Sequence, residues 1–235
     1  MPLTDLATET LEAALPARAI RSYEAVVSTA AAAHGWANEG APHGAVVVAD
    51  HQLSPRGHAG RPWRAPPGQG LGFSVVLRPA LPREREGWLY SLLLVALADV
   101  CGEGAAIEWP DRVCQEGAVV AAVAVNTRIE GGDIAWAIAD VLLPDAEPPR
   151  AGLLRRVLQQ IEARGEEATS SVLLDYDRLC TTLGKRVRAR FRAGTGPRID
   201  GRAISTLQDG AVLLEARGGR AVPVRPQDVR GLEEI

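Results

Sequence analysis

The tightest constraint on the fold lies at residues 44–79. A short β-branched run, GAVVVAD, leads into twenty residues, HQLSPRGHAGRPWRAPPGQG, and these give way to a second apolar run, LGFSVVLRP. The intervening stretch holds glycines at 57, 60, 68 and 70 together with four prolines, which deny it both a regular helix and a sheet interior. It reads as an irregular loop slung between two strands. Around it the order is mixed. An Ala-rich run predicts a helix over 22–37, and WLYSLLLVALADVCG predicts a buried helix over 88–102. AAIEWP, AVVAAVAVNTRI and DIAWAIADVLL predict a further strand set that turns at Gly131-Gly132. The segment 151–165 places Leu153, Leu154, Val157, Leu158 and Ile161 on one helical face, and a second helix starts at Ser170 or Ser171 and stops at Gly184.

Beyond Gly184 the period becomes two. Val187, Ala189 and Phe191 alternate with Arg186, Arg188, Arg190 and Arg192, and Asp209-Gly210 and Gly218-Gly219 are hairpin-turn signals. The expectation is an α+β fold: a mixed sheet with packed helices over 1–184 and a small β-barrel over 185–235.

Composition narrows the function classes. With 235 residues, 46% hydrophobic and 23% charged, the chain can bury a sizeable core, which excludes disorder, a collagen-like rod and a membrane span. A net charge of −3 offers no overall attraction to nucleic acid or an anionic membrane. Cys101, Cys114 and Cys180 lack the paired spacing of a zinc or redox site. Asp5, Glu9 and Glu12 stand where an export signal needs basic and then apolar residues, so the expected location is the cytoplasm. Of 26 basic residues only Lys185 is a lysine. From Lys185 to Arg225 ten basic residues face three acids, a local positive surface compatible with RNA or an acidic protein. Phe191 is the sole aromatic there, which argues against single-strand recognition.

The loop carries the chemistry. Its glycines let backbone N–H groups approach an anion, and Arg56, Arg61 and Arg64 can supply paired donors to phosphate or carboxylate. His58 is readable as a neutral donor, a proton carrier near neutral pH, or an exposed loop residue. Asp50, His51 and His58 are a weak metal candidate, because strand alternation points Asp50 and His51 to opposite sides; no metal is expected. Trp63 and Trp109 can wall a pocket or belong to the core, where Trp36, Trp88 and Trp136 are also placed.

In order and spacing this loop resembles the adenylate-binding loop of biotin protein ligases, in the biotin/lipoate protein ligase superfamily. Against the family pattern Q-x-x-G-R-G-R-x-G-R-x-W, then S-P-x-G, the chain matches at Gln52, Arg56, Gly57, Gly60, Arg61 and Trp63, then Pro66 and Gly68, without a gap. Ser28-Thr29 resembles the start of the family's S-T-N element. Glu108-Trp109-Pro110-Asp111 falls where the family has K-W-P-N-D. The Gly-Lys-Arg-Val at 184–187 and the later Asp-Gly hairpin are similar to the family's C-terminal SH3-like barrel, so nearly the whole chain is covered. The resemblance implies a class II synthetase-like mixed sheet and a two-step ligation. In it the biotin carboxylate attacks the α-phosphate of ATP, with magnesium, and a lysine of a biotin carboxyl carrier protein then attacks the acyl-adenylate. It also implies a ligand-binding set of Ser28, Thr29, Gln52, Arg56, Gly57, His58, Gly60, Arg61, Trp63, Gly68, Trp109, Pro110 and Asp111, and a homodimer is compatible with it.

The chain departs from the pattern where positive charge matters. Pro55 replaces the first loop glycine, His58 an arginine, Gly70 an asparagine, Glu108 the lysine before Trp-Pro and Arg112 an aspartate. Val119 stands at the lysine of the K-L-A-G-I-L motif, and Trp136-Ala137-Ile138-Ala139-Asp140 lacks the glycines of G-x-G-I-N. Joining two anions requires fixed cations, and a Glu108 facing the ligand at about 6 Å would cost roughly 5 to 6 kcal/mol relative to lysine. The expectation is a biotin-ligase-like protein, its catalytic residues unassigned, that binds a small carboxylate, an adenylate or a carrier protein and has lost most adenylation. Its alternatives are a working ligase with a rewired centre and a basic-barrel module for nucleic acid or an acidic protein.

Overall fold

A computed structural model describes residues 4–66, 68–192 and 198–235. Seven strands form one sheet: β1 (Ile20–Val26), β2 (Val46–Gln52), β3 (Leu71–Leu77), β4 (Ala106–Glu108), β5 (Arg112–Gln115), β6 (Ala118–Glu130) and β7 (Asp133–Leu143). Their order is β1-β2-β3-β7-β6-β5-β4, with β1 parallel to β2 and every other pair antiparallel. Five helices complete this part: α1 (Thr8–Ala14), α2 (Thr29–Asn38), α3 (Glu86–Cys101), α4 (Ala151–Glu166) and α5 (Thr169–Leu179).

Period-two alternation sorts the side chains to the two faces. Leu71, Phe73, Val75 and Leu77 of β3, with Ala137, Ala139, Val141 and Leu143 of β7, enter the main core with α3 and α4. Buried along most of its length, α3 is apolar on all sides, as its sequence predicts. The opposite face carries Val47, Val76, Trp136 and Ile138, covered by Ala33 and Ala37 of α2. This small helix covers part of the face, and Ala122, Ala124, Asp140 and Leu142 further along it are buried as well.

The helix expected over 22–37 is in fact two elements. Residues 20–26 pair in register with β2, Ile20 opposite Val46 through Val26 opposite Gln52, so edge pairing overrides helix propensity there. The helix begins only after Ser28, whose Oγ accepts the Ala31 N–H at 3.2 Å. The sequence reading did not anticipate α1, whose Leu11 is fully buried.

The last fifty residues form an antiparallel sheet of β8 (Arg186–Phe191), β9 (Ile199–Thr206), β10 (Val212–Ala216), β11 (Ala221–Val224) and β12 (Val229–Glu234), in the order β11-β10-β9-β8-β12. The Asp209-Gly210 and Gly218-Gly219 turns sit between strands as predicted. Among the described residues no ladder joins β11 to β12, so the sheet is open where a closed barrel was expected. It docks on the first turn of α3 through backbone: a Cβ at Gly210 would lie 2.1 Å from the Gly87 carbonyl oxygen, and one at Gly87 2.5 Å from that of Asp209. The apolar core runs without a break from the large sheet into Val187, Ala203, Val212 and Leu214.

Candidate functional site

The sheet face toward α2 carries a line of buried polar groups in an apolar setting. Ser74 on β3 lies opposite Asp140 on β7, and Asn126 follows two residues after Ala124, which is opposite Asp140 on β6. All three point toward the α2 side. The start of α2 supplies Thr29, and the end of β2 supplies Gln52. Gln52 Oε1 accepts from the Thr29 N–H at 2.8 Å and lies 3.1 Å from Thr29 Oγ1. Thr29 Oγ1 is 2.9 Å from Ser74 Oγ, which is 2.6 Å from Asp140 Oδ1, and Asn126 Nδ2 donates to Asp140 Oδ2 at 3.1 Å. Burial without a cationic partner pushes the Asp140 carboxyl up to about 7. Gln52 Nε2 rests above Gly72, where any Cβ would come within 2.4 Å of it. Ser28 and Asn126 also line a cleft of about 650 Å³, whose rim includes His34, Glu86, Thr127 and Arg192. Thr29, Gln52 and Ser28 are therefore brought together as the motif implied. Ser74, Asn126 and Asp140 were missed as site residues, although a lone Ser and a lone Asp inside the apolar strands LGFSVVL and DIAWAIADVLL are a legible signal.

The glycine-rich loop is built around Trp63. A Cβ on Gly57 would lie 1.9 Å from the indole Nε1, so the ring stacks directly on this glycine. Gly60 has φ +73° and Gly68 φ +77°, both in the region that favours glycine. Arg56 is exposed, and neither its side chain nor that of Arg64 has a hydrogen-bond or ionic partner among the described residues. Arg61, by contrast, turns to Asp111, its Nη2 lying 3.0 and 3.1 Å from the two carboxylate oxygens. Burial dominates over that guanidinium and raises Asp111 to about 6.

His58 lies away from the cleft. Its side chain is buried, with Nδ1 3.1 Å from the Tyr90 hydroxyl and Nε2 2.9 Å from the Val229 carbonyl. The carbonyl can only accept, so Nε2 carries the proton and Nδ1 accepts from Tyr90. Desolvation, and then the charge of Arg192, lowers the imidazole to about 4. Neither an exposed residue nor a proton carrier near neutral pH, His58 is a neutral strut between the loop, α3 and β12, and no ring nitrogen is left for a ligand.

The Trp-Pro-Asp segment is likewise turned inward. Trp109 is buried, its backbone N–H donates to Thr182 Oγ1 at 3.1 Å, and its indole N–H reaches the Gly210 carbonyl at 3.5 Å. Pro110 is buried beside it. This segment forms the joint with the C-terminal sheet. Glu108 faces outward, 3.9 Å from the Arg112 guanidinium, so the repulsion expected of a ligand-facing acid does not arise. Val119 pairs opposite Cys114 at the far side of the sheet.

Asp50 and Asp5 both bind the buried guanidinium of Arg150, at 2.6 and 2.8 Å, and among the described residues no group of three His, Cys, Asp or Glu side chains is placed to hold a metal. Arg150 N–H and Nε also donate to Asp5, and Nη1 to the Gly70 carbonyl. Among the described residues, five of the ten basic residues counted along the C-terminal sheet are ion-paired. Arg188 and Arg198 share Asp200, Arg225 holds Asp209, Arg190 pairs with Glu233, and Lys185 pairs with Glu234 at 3.0 Å. Glu233 and Glu234 lie beyond the window in which the excess was counted. A cavity of about 350 Å³ between β3, α3 and α4 is lined by Leu77, Trp88, Leu92 and Leu158 and closed by the Arg18–Glu162 pair; none of the loop arginines reaches it. No helix of the described residues is long and apolar enough to cross a membrane.

No protein-family model matches the chain. The bifunctional ligase/repressor BirA of Bacillus spizizenii is 27% identical over 229 residues, covering 83% of this chain and 69% of that protein. The biotin–[acetyl-CoA-carboxylase] ligase of Mycobacterium tuberculosis is 28% identical over 211 residues, covering 79% and 78%. Among solved structures, the biotin protein ligase from Aquifex aeolicus in complex with biotin and ATP superposes with a TM-score of 0.72 at 20% identity, over 92% of this chain and 99% of that one.

Proposed function

We propose that the chain, a member of the biotin protein ligase superfamily, is a biotin-ligase-like protein that binds biotin on the α2 side of the large sheet and adenylates it poorly or not at all. The observation that supports weak adenylation is where the cations sit. His58 is neutral and buried, Arg61 is held by Asp111, and Lys185 pairs with Glu234 in the other sheet. Bringing a carboxylate to a triphosphate without fixed positive charge leaves their repulsion unrelieved. The ligand half is better furnished: Thr29 and Gln52 are locked together, and among the described residues neither Gln52 Nε2 nor the Arg56 side chain has a hydrogen-bond partner. ATP, with its magnesium, would be a substrate of any residual reaction, met by Arg56, Arg64 and the backbone N–H groups of the loop. The acyl acceptor would be a biotin carboxyl carrier domain. We read residues 1–184 as the ligase-like domain and 185–235 as an SH3-like one, with a homodimer as the assembly to look for by sedimentation.

A second reading, a working ligase, is favoured by one observation: among the described residues Arg56 and Arg64 have no side-chain partner, and they can swing onto a triphosphate. The two readings are separated by incubating the protein with biotin, ATP and a biotin carboxyl carrier domain and following pyrophosphate release. Titration calorimetry with biotin alone is expected to show binding. Release is expected to run about two orders of magnitude or more below an ordinary ligase, since one missing unit charge at about 6 Å is worth about 3 kcal/mol. Ordinary turnover refutes the first reading and establishes the second.

A further inference from the structure

We propose that Asp140 is a positioning residue held as a neutral carboxylic acid, and that its proton, passed in direction along Ser74 and Thr29, fixes how Gln52 presents its amide to the ligand. The inference rests on the reading that this sheet face holds the ligand, and it follows from counting protons. Three oxygen–oxygen contacts run in series: Asp140 Oδ1 to Ser74 Oγ at 2.6 Å, Ser74 Oγ to Thr29 Oγ1 at 2.9 Å, and Thr29 Oγ1 to Gln52 Oε1 at 3.1 Å. Each needs one proton between its oxygens. Gln52 contributes none, because the same oxygen accepts the Thr29 backbone N–H at 2.8 Å and is therefore the carbonyl end of the amide. The two hydroxyls bring two. The third has to sit on Asp140, and on Oδ1, because Oδ2 accepts from Asn126.

The surroundings agree with an uncharged acid. Asp140 is 2% exposed. The groups in bonding contact with it are Ser74 of β3 and Asn126 of β6, with Thr29 of α2 one link further on; none is charged. The titratable or charged side chains that line the cleft are His34 of α2, Glu86 of α3 and Arg192 after β8, while β2 carries Asp50 and His51, α3 also Tyr90 and Asp99, β6 Arg128 and Glu130, and β7 Asp133; among the described residues none of them bonds to the chain of oxygens. Burial alone moves the carboxyl to about 7.

The direction of the chain has a consequence for recognition. With Asp140 protonated, every hydroxyl points its hydrogen toward Gln52, both Thr29 donors hold Oε1, and Nε2 stays over Gly72 without a protein partner. The ligand atom met there is an acceptor, a carbonyl or carboxylate oxygen. When Asp140 ionises, Ser74 turns its hydrogen to the carboxylate. Thr29 then has one hydrogen for two acceptors, and the hold on Gln52 weakens.

Two measurements test this. The side-chain carboxyl carbon of Asp140, labelled with carbon-13 and assigned by its absence in Asp140→Asn, is followed against pH in the ligand-free protein. A resonance that stays in its protonated position at pH 6 and titrates near 7 or above supports the inference, and one that titrates below pH 5 overturns it. Biotin is then titrated from pH 5.5 to 8.5. The wild-type Kd is expected to weaken about tenfold between pH 6 and 8.5, the worth of one oriented hydrogen bond. Asp140→Asn, whose amide N–H can replace the acid O–H toward Ser74, is expected to bind at the wild-type pH 6 level with a flat profile. Ser74→Ala is expected to bind weakly at every pH. A flat wild-type profile, or an Asp140→Asn variant that keeps the wild-type slope, overturns the inference. Failure of biotin to bind at any pH removes the functional reading instead, and the carboxyl titration alone then upholds or overturns the neutral acid.

Discussion

Acidification provides a direct test of the loop architecture, because His58 is buried with both ring nitrogens committed. In the folded chain the imidazole titrates at about 4, against 6.5 for an unperturbed histidine. A lowered histidine pKa stabilises the fold above 6.5, where both states are neutral, and the contribution is lost as pH falls from 6.5 to 4, because the unfolded chain takes up the proton first. Applying that linkage to the two values gives a loss of about 2 kcal/mol between pH 7 and 5 and about 3 kcal/mol by pH 4. The cause is burial, which strips water from the imidazolium, and after it the nearby charge of Arg192. The assay is urea unfolding of wild type and His58→Gln at pH 7, 6, 5 and 4.5, followed by tryptophan fluorescence and far-UV dichroism. His58→Gln is expected to be less stable than wild type at pH 7 and to close most of that gap at pH 4.5, since glutamine does not titrate. A stability difference that stays constant across the series refutes the reasoning, for it would mean that His58 protonates equally easily in both states.

Three further outcomes follow from the same geometry. Gly57→Ala places a Cβ 1.9 Å from the Trp63 indole nitrogen; displacement of the ring is expected to cost about 1 to 3 kcal/mol and to red-shift Trp63 emission, and an unchanged melting temperature with unchanged emission contradicts the stacking. Arg150→Met leaves Asp5 and Asp50 without their shared guanidinium, with an expected loss of about 3 to 5 kcal/mol in chemical denaturation. Arg56→Ala removes a side chain with no protein partner, so stability is expected within about 0.5 kcal/mol of wild type while biotin affinity, measured by calorimetry, drops severalfold.

Local patterning was sufficient for much of the architecture. The two β-branched runs flanking the glycine- and proline-rich stretch became neighbouring antiparallel strands, Val46 opposite Val75, because a run that short and that apolar can satisfy its backbone only by pairing on both sides. The all-apolar helix at 88–102 was legible for a similar reason: no face of it could be left in water. The Asp-Gly and Gly-Gly turns are chemistry contained in two residues. Where the reading failed, partners distant in sequence decided. Residues 20–26 look helical alone and become a strand because the edge of β2 is available, and the terminal sheet stays open because closure depends on how two edge strands meet.

For the site, residue order and composition determined which groups the loop would offer, since glycines, arginines and a tryptophan at fixed spacing are local facts. Which of them face a ligand was decided only in three dimensions. Arg61 and His58 sit three residues apart in one loop with Arg56 close by. Asp111, fifty residues on, captures the first, and Tyr90 and Val229 capture the second, while none of the described residues captures Arg56. Charge and hydrogen-bonding capacity belong to a residue, but whether they remain available depends on what the rest of the chain packs beside it, and no local window contains that information.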